Sequence, residues 1–154
     1  MGGSDAEIYE KYAEELTRFA TGIVGPFEAP DVVSGAVLRC LMSKGWRRAD
    51  NQRAYLYRAV LNEALALRRA TLRRRRREAL FASPFVPASD DVDEAVLAAV
   101  GRLSVRQRAV IVLTYWNDLD PLAIASLLGV GEGTVRRHLA RAREHLREYL
   151  HERN

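Results

Sequence analysis

Pro121-Leu-Ala-Ile-Ala-Ser-Leu-Leu-Gly-Val-Gly-Glu-Gly-Thr-Val-Arg-Arg-His-Leu-Ala-Arg-Ala-Arg143 is the stretch that decides the fold. Asp120 stands where a helix cap belongs, and Pro121 opens the helix at a position where its missing N–H costs nothing. Ile124 and Leu128 lie four apart on one face, and Ala125 is small where two helices must cross closely. Gly129 supplies the left-handed residue that ends a helix, and Val130 is expected to plug the turn. A second helix should follow from about Glu132, with Gly131 as an acceptable N-cap. Its inner stripe is Val135, Leu139, Ala142 and Leu146; the opposite face carries Arg136, Arg137, Ala140, Arg141 and Glu144. Such a bihelical unit can present its second helix to the major groove, where arginine pairs bidentately with guanine. A plain helical hairpin with a solvated arginine face is the alternative. The glycine and small-residue pattern of the turn favours DNA binding.

Upstream, Ser104 and Gln107 have capping-box spacing. The run Ala109 to Leu113 is apolar all round and β-branched, so taken alone it fits a buried strand or a buried helix. The capping box selects the helix. Another helix should run from about Val92 to Val100. Before it, Ala82-Ser-Pro-Phe-Val-Pro-Ala-Ser89 and the acidic Asp90, Asp91 and Asp93 read as a linker. In the N-terminal half, Ile8, Tyr12, Leu16, Phe19 and Ile23 mark one helix face, with Gly22, Gly25 and Pro26 expected to end it. A second helix is expected from near Asp31 to Gly45, with Val33, Val37, Cys40 and Leu41 inward. Asp50 is the expected N-cap of a long third helix bearing Tyr55, Leu56, Ala59, Val60, Ala64 and Leu67. That helix ends in seven arginines between Arg68 and Arg77. With no defensible strand, the fold class is all-α: two small helical domains, 1–78 and 93–154, joined by a flexible acidic linker over 79–92.

Composition sets the outer bounds. The 154 residues carry a net charge of +4 and 48% apolar residues, enough for a folded core and mildly suited to a polyanion. Only Lys11 and Lys44 are lysines among 24 basic residues, a bias toward the planar guanidinium that fits phosphate and guanine edges. The lone Cys40 excludes an internal disulfide and lies on an apolar pattern. No apolar run approaches the roughly 20 residues of a membrane span, and no signal peptide is visible, so a cytoplasmic protein is expected. His138, His145 and His151 lack metal-ligand partners and read as surface residues. No residue cluster suggests catalysis, a metal or a cofactor, so the chain reads as no enzyme.

The motifs together resemble a known family. Leu103-Ser-Val-Arg-Gln-Arg-Ala-Val-Ile-Val-Leu113, Asp118-Leu119, Ile124-Ala125, Leu128-Gly-Val130 and Gly133-Thr-Val-Arg136 are similar to region 4 of extracytoplasmic-function (ECF) sigma factors. Asp31-Val-Val33 resembles the start of that family's region 2.2. Ala54-Tyr-Leu-Tyr-Arg58, with Asn62 beyond it, resembles region 2.3.

The resemblance implies a chain that binds core RNA polymerase, recognises the −35 and −10 promoter elements and helps open DNA. It also implies that an anti-sigma factor is a possible partner. By position, Thr134, Arg136, Arg137 and Arg141 would touch −35 bases or phosphates, with Ala140 facing the groove. The loop from about Arg48 to Arg53 would border a pocket for a flipped −10 base. Flipping costs about a few kcal/mol of unstacking, to be offset by stacking and charge. The candidate −10 set is Gln52, Tyr55, Arg58, Asn62, Arg69 and Arg73, with Asn62 at the base edge. Asp31, Val32, Ser34, Gly35 and Leu38 fall on the polymerase-binding face, and the acidic linker would thread the polymerase cleft or serve as a plain spacer. Three positions depart from the family pattern. Ser34-Gly35 replaces a polar pair, Ala66-Leu67 stand where an acidic residue is common, and Gly131 replaces a serine-like cap. The first leaves open a sigma-like DNA-binding regulator with weak polymerase contact. A protein-interaction module is the third class.

Overall fold

A computed structural model describes residues 4–78 and 94–152. The acidic linker expected over 79–92, with Asp90, Asp91 and Asp93, lies outside the described residues. Seven helices are described: α1 Asp5–Val24, α2 Ala29–Met42, α3 Gln52–Glu78, α4 Glu94–Gly101, α5 Val105–Tyr115, α6 Pro121–Leu128 and α7 Glu132–Glu152. Among the described residues every regular element is a helix, as the patterning implies.

Local chemistry sets most boundaries. Ser4 and Glu7 form a reciprocal capping box on α1, and Ser104 and Gln107 form another on α5. Asp120 accepts from the Ala123 N–H at 2.8 Å to start α6. Gly129 then ends α6 at φ 70°, a left-handed conformation that any side chain would strain. Five expectations are corrected. α2 starts at Ala29, two residues before Asp31, with Pro30 in its first turn. The cap of α3 is Asn51, whose Oδ1 accepts from the Ala54 N–H at 3.0 Å, and not Asp50. Gly22 does not end α1, because Gly25 at φ 88° does. Leu41 and Val130 are exposed; Val32 and Ala36 take the inward positions on α2.

α1, α2 and α3 pack on one another, and α5, α6 and α7 form a second group to which α4 attaches through α7. The two groups do not stand apart. α1 lies against α5, and α3 lies against both α5 and α6. One apolar cluster therefore runs through both halves, from Leu16, Phe19, Tyr57 and Val60 to Val110, Leu113, Ile124 and Val135. Gly22 marks the closest crossing: a Cβ there would sit 2.7 Å from Val112 Cγ2 on α5. Cys40 is buried, as its apolar pattern implies, and burial pushes its thiol up to about 11.

Candidate nucleic-acid interface

α6, the Gly129 turn and α7 form the helix-turn-helix. Val135, Leu139 and Ala142 are buried and Leu146 packs against the core, so the amphipathic reading of α7 holds. That orientation turns Arg136, Arg137, Ala140 and Arg141 outward, with Thr134 half-buried at the first turn. The exposed row lies on the helix N-terminal half, the part that meets base edges in this motif. Arg136 is held by Glu132 one turn back, Nη2 to Oε1 at 2.7 Å and Nε at 3.2 Å. His138 is half-buried beside the row. Burial first, then Arg106, Arg137 and Arg141, hold its imidazole below the ordinary value of 6.5. His145 and His151 are exposed.

The second surface follows α3. Arg69 and Arg73 are exposed, as are all the arginines from Arg68 to Arg77 except the half-buried Arg75. Asn62 is exposed one turn beyond Arg58. Gln52 is half-buried at the start of the helix. Tyr55 is not a free stacking face. Its hydroxyl lies 2.5 Å from Ser43 Oγ, and its ring stands edge-on to the buried Trp46 at 5.7 Å. Arg58, expected beside DNA, reaches the other half of the molecule: Nη2 donates to the Ser126 carbonyl at 2.9 Å and Nε to that of Leu127 at 3.3 Å. The candidate −10 residues thus share one helix, but they do not share one environment.

On α2, Asp31, Ser34 and Leu38 are exposed, Val32 is buried, and Gly35 is half-buried. Gly35 has a packing role. A Cβ there would lie 3.2 Å from Glu63 Oε2, and Glu63 Oε1 forms an ion pair with Arg39 Nε at 2.6 Å that is not an aligned hydrogen bond. Leu38, Leu41, Met42 and Phe27 leave this side of the molecule apolar and open.

Three positioning groups escaped the sequence reading. Glu15 of α1 accepts from Arg53 Nε at both carboxylate oxygens, from Arg53 Nη2 at 3.0 Å and from the Tyr57 hydroxyl at 2.8 Å, tying α1 to α3. Arg108 is buried, and burial with the nearby Arg68 lowers its guanidinium to about 10. Arg58 is the third. These contacts join residues 38 to 69 positions apart, and no local spacing carries such a signal. Among the described residues no cluster of metal-binding side chains occurs, and no helix is long and apolar enough to cross a membrane.

A family model described as sigma-70, region 4 matches residues 93–146. The RNA polymerase sigma-E factor of Streptomyces coelicolor is 33% identical, over 92% of this chain and 85% of that protein. The ECF RNA polymerase sigma factor SigL of Mycobacterium tuberculosis is 30% identical over 94% of this chain and 88% of its own length. Among solved structures, the sigma factor RpoE of Bartonella quintana, crystallised with the anti-sigma factor NepR, superposes with a TM-score of 0.67. That match covers 94% of this chain and 95% of the other at 23% identity, a likeness of fold.

Proposed function

The chain belongs to the ECF family of RNA polymerase sigma factors, and from that premise we propose how its surfaces divide the work of promoter recognition. As a sigma factor it binds RNA polymerase and directs it to promoters. The −35 element is read by α7: Arg136, Arg137 and Arg141 supply base-edge and phosphate contacts, Thr134 sits at the entering turn, and Ala140 lets the groove floor approach. The observation that carries this reading is the exposed arginine row on the N-terminal half of α7, the second helix of the helix-turn-helix. The −10 strand follows α3, with Asn62 at a flipped base and Arg69 and Arg73 on phosphates. Gln52 and Tyr55 border the pocket through the Ser43–Trp46 loop.

The apolar face of α2 around Leu38, with Asp31 and Ser34, is the polymerase-binding surface, and Val32 supports it from beneath. The likeness to sigma factors over most of the chain speaks against a regulator without polymerase contact, and Gly35 sits close to Glu63, whose Oε2 would lie 3.2 Å from a Cβ there. The domain division at 1–78 and 93–154 belongs to the same proposal. The protein acts in the cytoplasm beside the polymerase and performs no chemistry of its own. The RpoE relative was crystallised with an anti-sigma factor, which supports a partner of that kind here.

Run-off transcription with purified core polymerase on a pooled promoter library tests the reading. Discrete transcripts sharing two spaced upstream elements are expected. DNA binding without core binding or transcripts would sink it. Arg137→Ala and Arg141→Ala should each weaken −35 duplex binding. Each should also flatten the salt dependence, by about 0.9 in the log–log slope for every phosphate no longer neutralised.

A further inference from the structure

Glu132 opens α7, the helix proposed above to read the −35 element, and its charge has the wrong sign for a surface that approaches DNA. Its Oε1 accepts from Arg136 twice, from Nη2 at 2.7 Å and from Nε at 3.2 Å, so one edge of that guanidinium is already occupied. The rest of the row differs. Among the described residues, no carboxylate forms an ion pair with Arg137 or Arg141. Their charge reaches His138, whose imidazole is held below its ordinary value of 6.5 by burial first and then by Arg106, Arg137 and Arg141. We propose that Glu132 sets the base selectivity of α7: it is an internal rival for Arg136 that keeps this guanidinium off backbone phosphates and yields it to guanine, while Arg137 and Arg141 hold phosphates. The proposal rests on the sigma-factor reading above.

Helix geometry separates the two roles. Arg136 and Ala140 are one turn apart on one exposed face, and alanine there lets the groove floor come close. Arg137 and Arg141 are also one turn apart, on a face turned by about 100° from the first. When the first face meets base edges, the second flanks it, toward the backbone. A carboxylate at the start of a helix also suits the helix dipole, and a glutamate four residues before an arginine is a favourable helical pair. Those reasons account for a steadier α7, but they make no difference between one duplex and another.

Selectivity follows from what is left when the pair breaks. Both partners are well exposed, at 63% for Arg136 and 41% for Glu132, so the pair is weak enough to be displaced. A phosphate that takes Arg136 leaves the freed carboxylate beside an anion and the neighbouring backbone charges, and like charges at that range oppose one another. Guanine is a different partner. Its O6 and N7 are neutral, lie in the groove, and accept two parallel N–H bonds from a guanidinium. The carboxylate then ends beside a base edge and not beside a phosphate. The other bases lack that pair of acceptors, so Arg136 stays on Glu132. A neutral pair adds nothing to the counterion release that drives sequence-independent binding. Arg137 and Arg141 supply that part of the affinity on any duplex.

The test selects duplexes from a pooled promoter library with the full chain, once alone and once assembled with core polymerase. Glu132→Gln, Glu132→Ala and Arg136→Ala are compared with the unsubstituted chain. The unsubstituted chain should enrich a guanine in the upstream element, and Arg136→Ala should lose that preference and no other. Fluorescence anisotropy then follows the selected duplex and a copy in which the guanine's pair is replaced by A·T. Glu132→Gln keeps an acceptor but no charge. Both Glu132 variants should bind the selected duplex about two- to fivefold tighter and the replaced one about tenfold tighter, so discrimination falls by about two- to fivefold. The log–log salt slope on the replaced duplex should steepen by about 0.9 as Arg136 gains a phosphate. Equal gains on both duplexes with an unchanged slope mean that Glu132 only steadies the helix, and they overturn the proposal. So does a guanine preference that survives Arg136→Ala, or weaker binding of the selected duplex by Glu132→Gln. A chain that selects duplexes but does not bind core sinks the sigma-factor reading, while the duplex data still decide the role of Glu132. A chain that binds core but selects no upstream guanine overturns the role of Glu132 alone, and one that does neither overturns both.

Discussion

Arg136, proposed above to read the −35 element, is already paired in the free chain, with Glu132 Oε1 2.7 Å from its Nη2 on an exposed face. An exposed pair of this kind contributes about 0.2–1 kcal/mol, which DNA would have to displace under that proposal. Glu132 also brings a negative charge toward the phosphates. Glu132→Ala should therefore strengthen −35 duplex binding about two- to fivefold in a fluorescence-anisotropy titration, against a small loss of helix stability. A weaker complex would mean that Glu132 positions Arg136 for its base. Titrating groups set the pH range of the fold. The His138 imidazole is held below 6.5 in the folded chain, so its contribution to stability is full above that value and lost as pH falls. Cys40 goes the other way. Its thiol rises from 9.0 to about 11, and burial with Glu15 raises the Tyr57 phenol. Their contributions are full below the unfolded values and are lost as pH rises through the folded ones. Urea midpoints should be highest between about pH 7 and pH 9 and decline on both sides.

At the scale of the element, caps rather than propensity decide where helices begin. α5 has an apolar β-branched run, Val110 to Val112, that would suit a strand. Ser104 and Gln107 close a capping box at 3.2 Å in both directions and commit the segment to a helix that is buried nearly all round. Ser104→Ala should cost about 1 kcal/mol of unfolding free energy, with the loss visible in helix content before tertiary structure melts. No change in denaturant midpoint would mean that burial alone holds α5. These caps were legible because their partners lie three residues apart. The start of α3 was misread by one residue, since Asp50 and Asn51 are both good caps, and in the fold it is Asn51 whose side chain accepts from Ala54 and whose carbonyl accepts from Tyr55. The neighbour of Gly35 was not legible, because Glu63, 3.2 Å from a Cβ placed there, lies on another helix.

At the scale of the whole molecule, one apolar cluster runs through both halves. A shared core predicts shared unfolding. Trp46 is buried in the N-terminal half and Trp116 borders the helix-turn-helix, so Trp116→Phe and Trp46→Phe variants report the two halves separately. Their urea transitions should coincide, as for a single cooperative unit. In Gly22→Ala they should separate. Separate transitions in the unsubstituted chain would mean that the interface between halves adds little to stability.

The sequence by itself determined the helices, their inner faces, the helix-turn-helix and the arginine row on its outer face. Each of these depends on residues within about one or two helical turns, where spacing maps directly onto geometry. The family followed from the same local motifs. Tertiary structure alone decided that the two halves share a core, that Tyr55 is tied to Ser43, and that Arg58 caps α6 instead of standing free for DNA. The physical reason is range. A guanidinium looks the same in the sequence whether it meets phosphate, water or a helix end, and its partners lie 68 and 69 residues away.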